Sequence, residues 1–238
     1  MLAPCIGPPP LQAPLIGRAE QLELLAKRIQ PGANMFLHGN YGVGKTSLAR
    51  ELFNQVSAAT PAERGHIWRR LGKTSPEGAI ELLARVFQGQ QVSKADGLNA
   101  KIEAFKTLLA NFPGLLIGLD EVPDKKDGRA ALDAAAGCAV MMNGTAALKL
   151  SGMQNIKIKP LSVDAARERF LSLCQLSASG PSKADLKLID KICKRMGRFP
   201  RGSWRLSSAR RATVVAAARD GPRNHFERRG PSPVQGEL

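Results

Sequence analysis

The chain has 238 residues, 43% of them hydrophobic, enough to bury the core of one α/β domain with a small appendage. Its net charge of +15 divides into +10 over residues 1–200 and +5 over residues 201–238, and a surface that basic can attract nucleic acid through phosphate neutralisation. Aromatic residues are only 5%, which argues against a base-stacking platform, and no run of 18 apolar residues exists to span a membrane.

The first ten residues, Met1-Leu2-Ala3-Pro4-Cys5-Ile6-Gly7-Pro8-Pro9-Pro10, lack a basic stretch and predict an extended proline-rich lead-in over 1–14 rather than a signal peptide. Apolar positions at Leu22, Leu25, Ala26 and Ile29 predict a helix from Ala19 that Pro31-Gly32 ends. A strand is expected over Asn34–His38 and a helix over about 45–58, with a second strand over His66–Leu71. Ser75-Pro76-Glu77 should start a helix reaching Phe87, with serine as cap and proline in the first turn. A further helix is expected over Leu98–Leu109, followed by Leu115–Asp120, an apolar run of the buried parallel-strand type. Pro123–Gly128 reads as a loop, and Ala139–Met142 and Ile156–Ile158 as the last strands. Alternating strands and helices predict a three-layer α/β fold, a parallel sheet covered on both faces. After Pro160 two amphipathic helices, Asp164–Leu173 and Lys183–Met196, predict a small helical lid. Residues 206–238 carry arginine as their only basic residue, with Gly221-Pro222, Gly230-Pro231 and Pro233 breaking any helix, so a disordered tail is expected; a reading-frame change would leave the same texture. The expected divisions are thus 1–14, 15–160, 161–205 and 206–238. None of the four cysteines, Cys5, Cys138, Cys174 and Cys193, forms a C-x-x-C pair, and they read as mostly buried, reduced thiols of a cytoplasmic protein.

The chemistry concentrates at Gly39-Asn40-Tyr41-Gly42-Val43-Gly44-Lys45-Thr46, a full match to G-x-x-x-x-G-K-[ST] between an expected strand and an expected helix. In such a P-loop, backbone N–H groups and a helix N-terminus cradle phosphates, Lys45 reaches the β/γ oxygens, and the Thr46 hydroxyl, followed by Ser47, can ligate Mg²⁺. ATP and Mg²⁺ are the implied ligands. The strand ending in Asp120-Glu121 supplies two carboxylates, beside the P-loop if the strands are neighbours: Asp120 for the Mg²⁺ shell, Glu121 to polarise an attacking water. Asn143, placed after the next strand, is either a phosphate or water sensor or a turn residue before Gly144.

Over residues 15–205 this constellation resembles the AAA+/STAND branch of P-loop ATPases, of the origin-recognition or NB-ARC kind. Leu15-Ile16-Gly17-Arg18-Ala19-Glu20 is similar to the branch's h-h-G-R-x-x-E motif, which implies that Arg18 lies near the adenine. The P-loop, Leu116–Glu121 and Asn143 match its Walker A, Walker B and sensor-1 positions, and Lys159–Ala166 resembles the lead into its lid. Met196-Gly197-Arg198-Phe199-Pro200 resembles a G-x-P turn, implying that Pro200 touches nucleotide, with Arg198 or Arg201 as the alternative group. Two departures stand out: Asn143-Gly144-Thr145 occupies the place of a usual arginine, and no helix-turn-helix, winged-helix or repeat domain follows, so the effector part is expected to be missing. The resemblance implies ATP hydrolysis driving a conformational switch or assembly. The alternative is a non-hydrolysing, nucleotide-gated module that contacts sequence-nonspecific DNA or a protein partner, including a homo-oligomer; a small-metabolite kinase is a third reading.

Overall fold

The computed structural model describes residues 3–11, 13–30, 32–61, 64–174, 183–195 and 197–198. Among these residues six strands pair in parallel as one sheet, in the spatial order β1 (Cys5–Ile6), β3 (His66–Arg70), β4 (Leu116–Asp120), β5 (Ala139–Gly144), β2 (Asn34–His38) and β6 (Gln154–Lys157). The two central strands, β4 and β5, are buried along their whole length, as a parallel sheet covered on both faces requires.

Side chains alternate between two cores with the two-residue period of the pleat. Phe36, Ile67, Ile117, Leu119, Val140 and Met142 enter one core, under α3 (Pro76–Ala84), α4 (Gln90–Lys94), α5 (Gly97–Leu109) and α6 (Lys125–Ala134). Met35, Leu37, Trp68, Leu116 and Met141 enter the other, under α1 (Ala19–Ala26) and α2 (Lys45–Ala59). A third cluster around Leu161, Ala166, Phe170 and Ile189 joins α7 (Val163–Cys174) to α8 (Lys183–Arg195), and the Arg167 guanidinium grips Asp190 of α8 with two hydrogen bonds of 2.6 Å. The expected three-layer α/β architecture with a helical lid is therefore the observed one.

Gly118 has a packing reason to interrupt an apolar strand. A Cβ there would run into the Trp68 ring and lie 2.7 Å from Phe53, whose rings pack edge to face at 5.2 Å across that spot.

Several expectations need correction. Pro123–Gly128 is not a loop: Asp124 caps α6 by accepting from the Lys126 and Asp127 N–H groups. Besides Asp127, its buried face is Gly128, Ala130, Ala131 and Ala134, small residues that give little hydrophobic signal among flanking charges where the helix packs on α3. The proline-rich lead-in contains β1, whose two residues are too few to show any period. Asn143 lies within β5, not after it, and is 1% exposed, so the turn reading falls. Of the cysteines, Cys138 and Cys193 are buried, while Cys5 is exposed. Burial pushes the Cys138 thiol up to about 11, which suits an inert core residue.

Candidate functional site

Parallel strands all end on one edge of the sheet, and register decides what stands there. Arg70 ends β3 opposite Asp120 of β4, Leu119 pairs with Met142 one residue before Asn143, and His38 of β2 pairs with Gly144 and leads directly into the P-loop. The P-loop strand and the Asp120 strand are not neighbours: β5 runs between them, which places Asn143 in the gap.

The P-loop wraps the start of α2. Gly44, at φ 94°, is its N-cap and carries no side-chain cap, so the first-turn N–H groups of a 15-residue helix have no protein side chain to satisfy them. Gly39 must be glycine, since a Cβ would stand 2.7 Å from the Ile158 carbonyl oxygen. Lys45 Nζ donates to the Gly39 and Asn40 carbonyls at 2.8 and 3.0 Å, holding the ammonium over its own loop. Burial lowers its pKa, with Asp120 pulling the other way. His38 is held below the usual imidazole range by burial, then by Lys157 and Lys45, a sign of the positive field at this edge.

Thr46 Oγ1 donates to Asp120 Oδ1 at 2.9 Å, bridging helix and strand despite the intervening β5. Asp120 is 1% exposed, and its Oδ2 accepts no hydrogen bond; the nearest cation is Arg50 Nη2 at 3.8 Å. Asn143 Oδ1 accepts from the Glu121 N–H at 3.4 Å, and its buried Nδ2 has no partner. A buried donor and a buried acceptor left open cost about 1–3 kcal/mol each, a cost a bound ligand can remove. Glu121 itself is in the left-handed region at φ 58°, and its Oε2 takes two 2.7 Å contacts from Arg70 Nε and Nη2.

Lys45, Thr46, Arg70, Glu121 and Asn143 line a cavity of about 470 Å³. Tyr41, 88% exposed, stands at its rim, and Ser47 lines it from α2. Gly44 and Ser47 also line a second cavity of about 540 Å³, enclosed by the N-terminal segment, α2 and α7. Arg18 reaches that second cavity but spends its donors on protein: Gln21 Oε1 at 2.9 Å, the Val43 carbonyl at 3.0 Å and the Lys159 carbonyl at 2.8 Å. It ties the P-loop to the start of the lid. Arg198, at φ 55°, closes the α8 end and accepts from the Leu161 N–H. Pro200, Arg201 and the 206–238 segment lie outside the described residues.

The sequence reading did not anticipate Arg70, Arg50 and Arg169, which lines the second cavity. Arg70 had a signal: it ends an apolar strand as Asp120 does, and neighbouring parallel strands would bring the two ends together.

No curated protein matches the chain. Among solved structures it is similar to a signal transduction ATPase with numerous domains (STAND) that carries a tetratricopeptide repeat sensor, from Pyrococcus horikoshii, at 16% identity and a TM-score of 0.51. The match covers 80% of this chain and 29% of that one, so it speaks to the fold, and this chain spans under a third of that protein's length. The NB-ARC domain model matches residues 19–165, from the first turn of α1 through β2–β6 to the start of α7, and includes every charged group that lines the first cavity. The chain belongs to the NB-ARC family of nucleotide-binding domains.

Proposed function

We propose that the chain binds ATP with Mg²⁺ and hydrolyses it, the change in phosphate occupancy moving the lid relative to the sheet. The observation that carries this reading is the Thr46–Asp120 hydrogen bond at the uncapped start of α2, a hydroxyl and a carboxylate joined at the floor of an anion cradle. Both are hard oxygen donors of the kind Mg²⁺ takes. Among the described residues no group of three or more His, Cys, Asp or Glu suits a metal, in keeping with an ion that draws its other ligands from phosphate and water. Mg²⁺, when bound, neutralises phosphate charge.

In this reading the P-loop N–H groups bind the phosphates, and Lys45 leaves the Gly39 and Asn40 carbonyls for the phosphate oxygens. Asn143 Nδ2 donates to the terminal phosphate or to the water. Glu121 orients that water and accepts its proton once it has left Arg70. Among the described residues no helix is long and apolar enough to cross a membrane. We place the protein in the cytoplasm, where free thiols such as those of Cys5, Cys138 and Cys193 stay reduced. A second reading, a nucleotide-gated module that does not hydrolyse and acts through a protein partner or a second copy, is favoured by the Arg70–Glu121 ion pair, which occupies the carboxylate hydrolysis needs.

Steady-state phosphate release and ATP binding, measured together on wild type and Glu121→Gln, separate the two. Hydrolysis predicts wild-type turnover that falls roughly 10²-fold or more in the variant while binding survives. Tight binding with no turnover in either protein selects the module; equal turnover in both removes Glu121 from its role.

A further inference from the structure

The second cavity has an unusual wall. Its N-terminal side is Pro9, Pro10, Leu11 and Pro14, and its lining shares Gly44 and Ser47 with the first cavity. Fixed proline backbones make that wall rigid, and ring faces without N–H groups suit the flat, apolar face of a heteroaromatic base. The wall is held at both ends by slender attachments. At one end β1 pairs with β3 through Cys5–His66 and Ile6–Ile67, extended by the His66 N–H donating to the Pro4 carbonyl at 2.7 Å. The approach there is close enough that a Cβ on Gly65 would stand 2.7 Å from that carbonyl oxygen. Pro8 is buried just beyond. At the other end Arg169 of the lid donates to the Pro14 carbonyl at 3.5 Å.

A two-residue edge ladder is among the first parts of a fold to open. Removing it would take away one wall of the cavity while leaving the P-loop untouched. Building on the ATP reading above, we infer that residues 3–11 and 13–14 are a strap coupled to nucleotide occupancy: the base packs on the strap, and peeling β1 from β3 releases the nucleotide from its base end. Linkage makes the coupling reciprocal, so a bound base holds the strap docked, and a pull on the chain's N-terminal side loosens ATP. The phosphates are bound elsewhere and do not sense the strap.

The test uses the full chain and two probes, ATP and inorganic tripolyphosphate, which occupies only the phosphate cavity. Replacing the wall (Pro9→Gly with Pro10→Gly) and weakening the ladder (Ile6→Asp) should each raise the Kd for ATP about fivefold or more, and leave that for tripolyphosphate within about twofold. In the wild type, amide exchange over residues 3–11 should slow with ATP and not with tripolyphosphate. Unchanged ATP affinity in both variants, equal losses for both probes, or exchange over 3–11 indifferent to ATP would each overturn the strap. Its failure is distinct from failure of the ATP reading, in which the wild type binds neither probe and both proposals fall.

Discussion

Lys45 donates to two carbonyls of its own loop, and that arrangement bears on what its loss would do. The ammonium is already partly desolvated and preplaced, so moving it to a phosphate oxygen exchanges two neutral acceptors for an anionic one. Lys45→Ala should weaken ATP by at least about tenfold, about 1.4 kcal/mol, read by titration with a fluorescent analogue; unchanged affinity would refute the P-loop assignment. Arg70 acts in the opposite sense. It pins Glu121 by an ion pair on a half-exposed surface, and such pairs are weak. Arg70→Ala should therefore raise basal ATP turnover by no more than a few-fold, without altering ATP affinity. A fall in turnover would mean that Arg70 holds Glu121 in its working position rather than away from it.

Elements carry their own tests. On β4, Gly118→Ala would force a methyl group between Trp68 and Phe53, and overpacking of this kind costs about 1–3 kcal/mol. Urea unfolding should report that loss, with the near-ultraviolet signal of Trp68 changed in the folded state. On α6, Asp127 is buried with Oδ1 unpartnered, and burial, then Asp124 and Glu77, raises its pKa. A carboxyl with a folded-state pKa above its unfolded one contributes to stability fully below the unfolded value and loses that contribution as pH rises through the folded one. Asp127→Asn should thus raise the thermal midpoint at pH 8, and the gain should shrink as pH falls into the carboxylate range. A gain that persists in acid would assign the effect to packing instead of charge.

At the scale of the molecule, a ligand that binds only the folded state stabilises all of it. ATP at a hundred times its Kd should add about 2.7 kcal/mol, or roughly 5–10 °C in thermal midpoint for a chain of this size, and Lys45→Ala should lose about half of that shift or more at the same concentration. What the amino-acid sequence determined alone was whatever depends on spacing within a short stretch. The P-loop, the start of α2, the Ser75 cap with Pro76, and the apolar strand ending in Asp120-Glu121 were all legible, because backbone geometry and local periodicity encode them within a dozen residues. Even β2 (Asn34–His38) fell where its residues predicted. Tertiary structure decided the order of the strands. That order put β5 between the P-loop strand and Asp120, decided between the two readings of Asn143 by burying it within β5, and set Arg70 against Glu121. It also recruited a two-residue strand and a run of prolines as the wall of a cavity, and made a helix of a charged stretch whose buried face is alanine and glycine. The physical reason is common to all of these. Pairing and close packing between distant segments are chosen by which arrangement buries both faces of the sheet, and no local window contains that choice.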